Sequence, residues 1–406
     1  MIVRDMYLER IRRFYHSSLI KVITGVRRCG KSVLLRQIAD DLAAQGVDES
    51  EITIVSLEDY DRRDLLSPDR LNAYLEERAH GSGKSYFLLD EVQRVERFEE
   101  VINSIHAKEM ANIFITGSNS QILSGELASL LGGRTLSFRV TPFCFREYVR
   151  FAREEMGDSR GEETLLRQYL TWGGFPLACA EADDRSREVV LDNLYSSIVL
   201  RDIILRNKIS SPATLEAVLD YLIANSSTTI SGNNVAAALT DLNRSVSAPT
   251  VYDQIRAITE AYIVDRVPRY DIRGKKALRY EEKVYACDLG FFHLRKNRVK
   301  DEMNYVVETV IYNELIARGL SVYVGKTDKG EIDFVVQDGT RRCYIQAAYL
   351  VPDERVAARE FGAYAAISDA HPKYVVSMDP MPVSRDGIEH LTLLDFLTDP
   401  NKLRLA

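Results

Sequence analysis

A mixed α/β fold built on a parallel-sheet core is predicted by three features of this sequence. Up to about residue 140, short apolar runs alternate with helix-sized stretches, the pattern of strands joined by crossover helices. A glycine-rich loop follows the first of these runs and opens a helix. Behind a long segment of helical periodicity, the strand and helix alternation returns after Met303.

In order, the apolar runs are Leu19–Ile23, Ile52–Val55, Tyr86–Leu89 and Ile113–Ile115, with a helix over Val33–Ala44 after the glycine-rich loop. Together they predict a parallel α/β core over residues 1–141. From 142 to 224 apolar positions recur at helical spacing, as in Glu162–Leu170 and Val189–Leu205, so this part reads as all-helical. Residues 225–302 give a helix after Ser231-Gly232-Asn233-Asn234, another after Ser247-Ala248-Pro249-Thr250, then two β-rich runs about the turn Arg273-Gly274-Lys275. Helix, turn, helix and hairpin is the order of a winged helix. Residues 303–406 return to α/β, with a helix over Val306–Ala317 and strands at Ser321–Gly325, Ile332–Val336, Cys343–Ala347 and Tyr374–Met378.

The bulk composition excludes several classes. No apolar run approaches the roughly 20 residues that cross a bilayer, and Met1–Ile20 mixes Arg, Glu and His among its apolar residues rather than showing a signal-peptide core. The five cysteines, Cys29, Cys144, Cys179, Cys287 and Cys343, are odd in number and without Cys-x-x-Cys spacing, which argues against a disulfide framework or a zinc site. A soluble, cytoplasmic protein is expected. The net charge of −7 disfavours polyanions on average, yet Arg266–Lys300 carries eleven Lys or Arg against four Asp or Glu, a local excess of seven.

Gly25-Val26-Arg27-Arg28-Cys29-Gly30-Lys31-Ser32 matches G-x-x-x-x-G-K-[ST] in full, in the strand-to-helix setting the motif requires. Glycines let backbone N–H groups converge on phosphates, the helix N-terminus adds a favourable dipole, Lys31 neutralises β/γ charge and Ser32 ligates magnesium. Val33 follows in the first helical turn and completes the nucleotide-binding set. Tyr86-Phe87-Leu88-Leu89-Asp90-Glu91 is an apolar strand ending in two acids: Asp90 completes the magnesium shell and Glu91 polarises the attacking water. The expected ligands are therefore ATP and Mg2+. The next strand ends in Thr116-Gly117-Ser118-Asn119-Ser120, where Asn119 or Ser118 can sense the γ-phosphate, although the same residues suit a plain turn. Arg134, after Gly132-Gly133, is the candidate arginine finger, acting in cis or in trans, with Arg139 as a competitor.

These residues bring a family into view. With Pro142–Tyr148, Gly173-Gly174-Phe175-Pro176 and Arg201-Asp202-Ile203, the chain resembles, nearly end to end, the prokaryotic AAA-superfamily ATPases fused to an uncharacterised C-terminal domain. The resemblance implies an AAA-type P-loop core, a helical lid, a winged-helix unit and a terminal segment similar to the PD-(D/E)xK nuclease fold. It also favours sensing at Asn119. Gly173–Pro176 on its own reads as a tight turn, and Arg201 with Asp202 as an interhelical pair.

Glu308, Glu331-Ile332-Asp333 and Tyr344–Ala348 stand in the order of such a nuclease. Cleavage needs acidic metal ligands and a lysine, and here Gln346 stands at the second acid and Ala348 at the lysine. The terminal domain therefore reads as non-catalytic, with residual metal binding at Glu308 and Asp333 left open. Arg266, Arg269, Arg273, Lys275, Lys276 and Arg279, interleaved with Tyr270 and Tyr280, suit phosphate contact and base stacking, with Arg273, Lys275, Lys276 and Arg279 as the nucleic-acid candidates. The leading expectation is an ATP-hydrolysing switch or remodeller acting on DNA or a DNA-bound partner. The alternative is a nucleotide-gated signalling or interaction protein with slow turnover, and an ATP-coupled nuclease is opposed by Gln346 and Ala348. A homo-oligomer is left open, and no membrane partner is expected.

Overall fold

The computed structural model describes residues 2–79, 85–118, 131–241, 246–295, 302–328 and 330–406, without the side chains of 279–281 and 302. The chain divides into two compact units, one of residues 1–140 with 260–262, the other of residues 141–259 with 263–406.

The first unit holds a five-stranded parallel sheet of β1 (Ile20–Thr24), β2 (Ile52–Ser56), β3 (Ser85–Asp90), β4 (Ala111–Gly117) and β5 (Thr135–Arg139), in the order β2-β3-β4-β1-β5. Every residue of β1 and β3 is buried. Both faces are covered, as parallel sheets joined by crossover helices require. Val22, Val55, Phe87, Leu89 and Ile115 pack with Leu71, Leu75, Val101 and Ile105 from α3 (Pro68–Arg78) and α4 (Phe98–Ala107). The N-terminal α1 (Asp5–Arg12) is followed after β1 by α2 (Lys31–Ala44), which buries Leu34, Leu35, Ile38 and Leu42. Because all five strands run the same way, the segments that leave β1, β3 and β4 gather at one edge of the sheet. That crevice outside the carboxyl ends of the strands is where open α/β sheets hold ligands.

The second unit begins with helices, among them Phe145–Glu154, Glu162–Trp172, Asp184–Ile198 and Pro212–Ala224, and a π-helical turn at Val199–Leu205. Asp202 is buried in that turn while Arg201 is exposed. Gly173-Gly174 is a socket for Asp288. The Gly174 and Gly290 N–H groups donate to its carboxylate at 2.7 and 2.8 Å. Gly173 has φ +71°, and a Cβ there would lie 1.9 Å from Asp288 Oδ1, so only glycine fits.

The helices 212–224, 232–241 and 248–260 lead into an antiparallel hairpin of β6 (Val264–Asp271) and β7 (Lys276–Ala286). This hairpin is not a free wing. Its strand β6 pairs in parallel with β8 (Ser321–Thr327), through Arg269↔Val324. The hairpin thus edges a seven-stranded sheet with β9 (Gly330–Asp338), β10 (Arg341–Ala348), β11 (Lys373–Ser377) and β12 (Glu389–Thr392), in the order β12-β11-β10-β9-β8-β6-β7. The boundary expected at 302/303 is therefore crossed by a continuous sheet, because the apolar faces of β6 and β9 share one core through Tyr270, Ile272, Ile332 and Val335. Among the described residues no helix is long and apolar enough to cross a membrane.

Candidate functional site

The phosphate loop leaves β1 at Thr24 and enters α2 at Lys31. Gly25 has φ +146°, and a Cβ on it would come within 2.1 Å of the Val140 carbonyl; Gly30 has φ +108°. Both glycines of the motif are thus required by backbone conformation, and at Gly25 also by space. The tip is braced by Arg27, which donates to Glu58 at 3.1 Å, and by Cys29 Sγ, 3.4 Å from the Val140 carbonyl. Val26 is buried and Arg28 exposed with φ +65°, while Ser32 and Val33 are half-buried in the first turn of α2. Lys31 is 4% exposed; its Nζ donates to the carbonyls of Gly25 and Val26 at 3.1 Å each and lies 3.9 Å from Glu91 Oε1.

Asp90 ends β3 beside Thr116, which ends β4. Thr116 Oγ1 donates to Asp90 Oδ1 at 2.5 Å and accepts from the Glu91 N–H at 2.9 Å. Glu91 adopts the left-handed region, φ 57° and ψ 50°, sparsely populated for a non-glycine residue, as strained functional positions often do. Burial pushes its carboxyl above the usual range; Lys31 opposes this, the charges of Asp90 and Glu58 add to it, and a hydrogen bond from Gln93 opposes it. Lys31 and Glu91 are thus brought together beside Asp90, with Thr116 and Gln93 as further members. Thr116 was legible only as a polar residue closing the apolar run Ile113–Ile115. Ser118 is buried, and Asn119 lies outside the described residues.

The two arginines separate by position. Thr135 pairs with Ile20 at the start of β1, and Arg139 pairs with Thr24 at the phosphate-loop end. Arg134 therefore stands about 17 Å along the strand from Arg139, at the far edge of the sheet from its own phosphate loop. Arg139 lies with its guanidinium 5.0 Å from the Tyr262 ring centroid.

In the second unit, Lys275 and Lys276 are exposed at the hairpin turn, and the side chain of Arg279 lies outside the described residues. The stacking role expected of Tyr270 does not hold: it is 7% exposed, packed in the sheet core and hydrogen-bonded by Arg342. Arg266 pairs with Glu282, Arg269 with Glu331 at 2.9 Å and Arg273 with Asp328 at 3.0 Å.

Glu308, Glu331 and Asp333 line a cavity of about 520 Å³ with Asn304, Gln346 and Glu360. The cation among these acids comes from the chain itself. Lys283 of β7 places its Nζ 2.8 Å from Glu308, 2.6 Å from Glu331 and 3.5 Å from Asp333. Burial pushes Glu308 up to about 7 against the pull of Lys283. Lys283 thus stands among the acids at which metal binding was left open, and among the described residues no group of three or more His, Cys, Asp or Glu is arranged to hold a metal ion.

Comparison with known proteins places these features in a family. Residues 17–149 match an AAA domain, and residues 163–301 match a domain of unknown function (DUF8612). An uncharacterized protein of Haemophilus influenzae is 33% identical over 402 residues, 98% of each chain. An uncharacterized protein of Methanocaldococcus jannaschii is 26% identical over 387 residues, 93% of this chain and 85% of that one. Among solved structures, the Walker-type ATPase of Pyrococcus abyssi superposes with a TM-score of 0.50 at 15% identity, covering 72% of this chain and 94% of its own, which is a likeness of fold. With its AAA domain built on a parallel sheet and a phosphate loop, the chain belongs to the same family as the Haemophilus influenzae protein.

Proposed function

We propose that the chain binds ATP with Mg2+ and hydrolyses it, as an ATP-driven switch or remodeller acting on DNA or a DNA-bound partner. The observation that carries this reading is the convergence of Lys31, Asp90, Glu91 and Thr116 at one edge of the parallel sheet. The glycine cradle, the buried amine and the adjacent carboxylates fit a magnesium-bound triphosphate: Ser32 and Asp90 would hold the ion, which when bound neutralises phosphate charge. Lys31 offsets β/γ charge, the loop N–H groups orient the phosphates, and Glu91 takes a proton from the attacking water. Thr116 fixes Asp90 and the Glu91 backbone together, so that ligand and base move as one.

We take Arg134 as the arginine finger, and its place at the far edge of the sheet favours action on a second copy of the chain over action at its own site. Mixing Arg134→Ala with Lys31→Ala protein should then restore ATPase activity that neither has alone, since each supplies what the other lacks. No recovery over a range of mixing ratios would rule out action between copies.

The decisive measurement for the cellular role is steady-state ATPase activity with and without single- and double-stranded DNA. Stimulation supports action on DNA. The acid partners of Arg266, Arg269 and Arg273 and the burial of Tyr270 favour a second reading, in which the hairpin side of the sheet meets a protein and nucleotide state gates that contact. Replacing Arg273, Lys275 and Lys276 together should weaken DNA binding equally for unrelated sequences and flatten its salt dependence, by about one unit of slope per lost phosphate contact. An unaltered slope would favour the protein partner.

A further inference from the structure

Residues 2–12 precede the span that matches the AAA domain, yet they are built into the phosphate loop from behind. Gln37, six residues past Lys31 on α2, grips this segment twice: its Nε2 donates to the Ile2 carbonyl at 2.8 Å and its Oε1 accepts from the Arg4 N–H at 3.0 Å. Arg12 then donates through Nε and Nη2 to the two carboxylate oxygens of Asp41 on α2, at 2.9 and 2.8 Å. Arg4 is fixed against the helix that opens at the loop by the Gln37 grip, the nearer of the two. Its side chain is 1% exposed, lies with the guanidinium carbon 4.7 Å from the Tyr7 ring centroid and donates through Nη1 to the Cys29 carbonyl at 2.9 Å. A Cβ on Gly30 would stand 3.0 Å from that same Nη1. The glycine that supplies a left-handed turn therefore also leaves room for the guanidinium.

We propose that Arg4 is a positioning residue of the phosphate loop: it holds the Cys29 carbonyl on the outer side of the loop and so turns the Gly30 N–H towards the phosphates of ATP. In a trans peptide the carbonyl and the N–H point in opposite directions, so fixing one fixes the other. A cation on the oxygen also polarises the peptide and makes its N–H the stronger donor. In a buried setting the guanidinium charge acts on a nearby anion with little screening. Lysine would bring the charge but not the planar fork, and would hold the carbonyl less firmly.

This inference rests on the loop being an ATP site, and the experiment separates the two. ATP affinity and nucleotide-free thermal stability are measured for the full chain, for Lys31→Ala, Arg4→Gln and Arg4→Lys, and for Arg12→Ala, which loosens α1 without touching the loop. Arg4→Gln is expected to weaken ATP binding about tenfold or more, the scale of one hydrogen bond to a charged group, and Arg4→Lys about threefold. Arg12→Ala should lower the melting temperature and leave affinity within about twofold. Wild-type affinity in Arg4→Gln, beside loss in Lys31→Ala, overturns the role of Arg4 and keeps the ATP site. Equal weakening by Arg12→Ala overturns it too, because simple docking of α1 would then explain the effect. If Arg4→Gln does not fold, Arg4→Lys decides, and undiminished affinity there counts against the proposal. Unchanged affinity in Lys31→Ala defeats both readings.

Discussion

Replacing Glu91 with glutamine is expected to lower kcat by about 10² to 10⁴, the usual contribution of a general base, while ATP binding survives. Glutamine keeps the size of the side chain and leaves Asp90 in its hydrogen bond with Thr116, so the proposed magnesium ligand is undisturbed. What goes is the carboxylate proposed to accept the proton of the attacking water. The pH profile gives a second reading of the same residue. Burial raises the Glu91 carboxyl above its ordinary value, so its working form, the anion, is lost at a higher pH than for an exposed glutamate. The acidic limb of kcat/KM should accordingly lie above the ordinary carboxylate range in the wild type and vanish from the residual activity of the variant. Near wild-type turnover would assign the base to another residue.

The phosphate loop and the paired acids of the candidate site were legible in the sequence because their signals are local. A phosphate loop is eight consecutive residues, Gly25–Ser32, and the acids Asp90 and Glu91 are adjacent at the end of one apolar strand. The partners that fix their geometry were not legible, since they come from distant parts of the chain. Thr116 reaches Asp90 across 26 positions and Lys283 reaches Glu308 across 25, and neither pairing leaves a spacing to read. β5 escaped notice for a different reason: as a partly exposed edge strand, Thr135–Arg139 buries only Phe138 and shows no apolar run. The turn at Arg273-Gly274-Lys275 predicts the hairpin, but its chemistry says nothing about β8, some fifty residues on, whose pairing places Tyr270 inside a shared core. Charge density near Arg273 was visible, whereas the acids that meet it, Asp328 and Glu331, lie on the β8–β9 side of that sheet.

The largest effect on binding is expected from Lys31→Ala, which should reduce ATP affinity by about 10² or more, since a charge-assisted contact to each of two phosphate groups is worth roughly 1.5–3 kcal/mol. Lys31 is 4% exposed and its amine donates to the carbonyls of Gly25 and Val26, so the loop presents it in a fixed place before any nucleotide arrives. Its loss also removes a cation 3.9 Å from Glu91, whose carboxyl should then rise further and stay protonated over more of the working pH range. The fold itself has less to lose. A buried ammonium between two carbonyls carries a desolvation cost, so its removal is expected to change nucleotide-free stability little. Thermal denaturation with and without Mg2+-ATP reads both quantities at once, because a ligand that binds only the folded state raises the melting temperature according to its concentration over Kd. The expected result is a wild-type protein stabilised by Mg2+-ATP and a Lys31→Ala protein with a similar starting temperature and no ATP-dependent rise. An equal rise in both would mean that nucleotide binds elsewhere, and with it the assignment of Asp90 and Glu91 would fall.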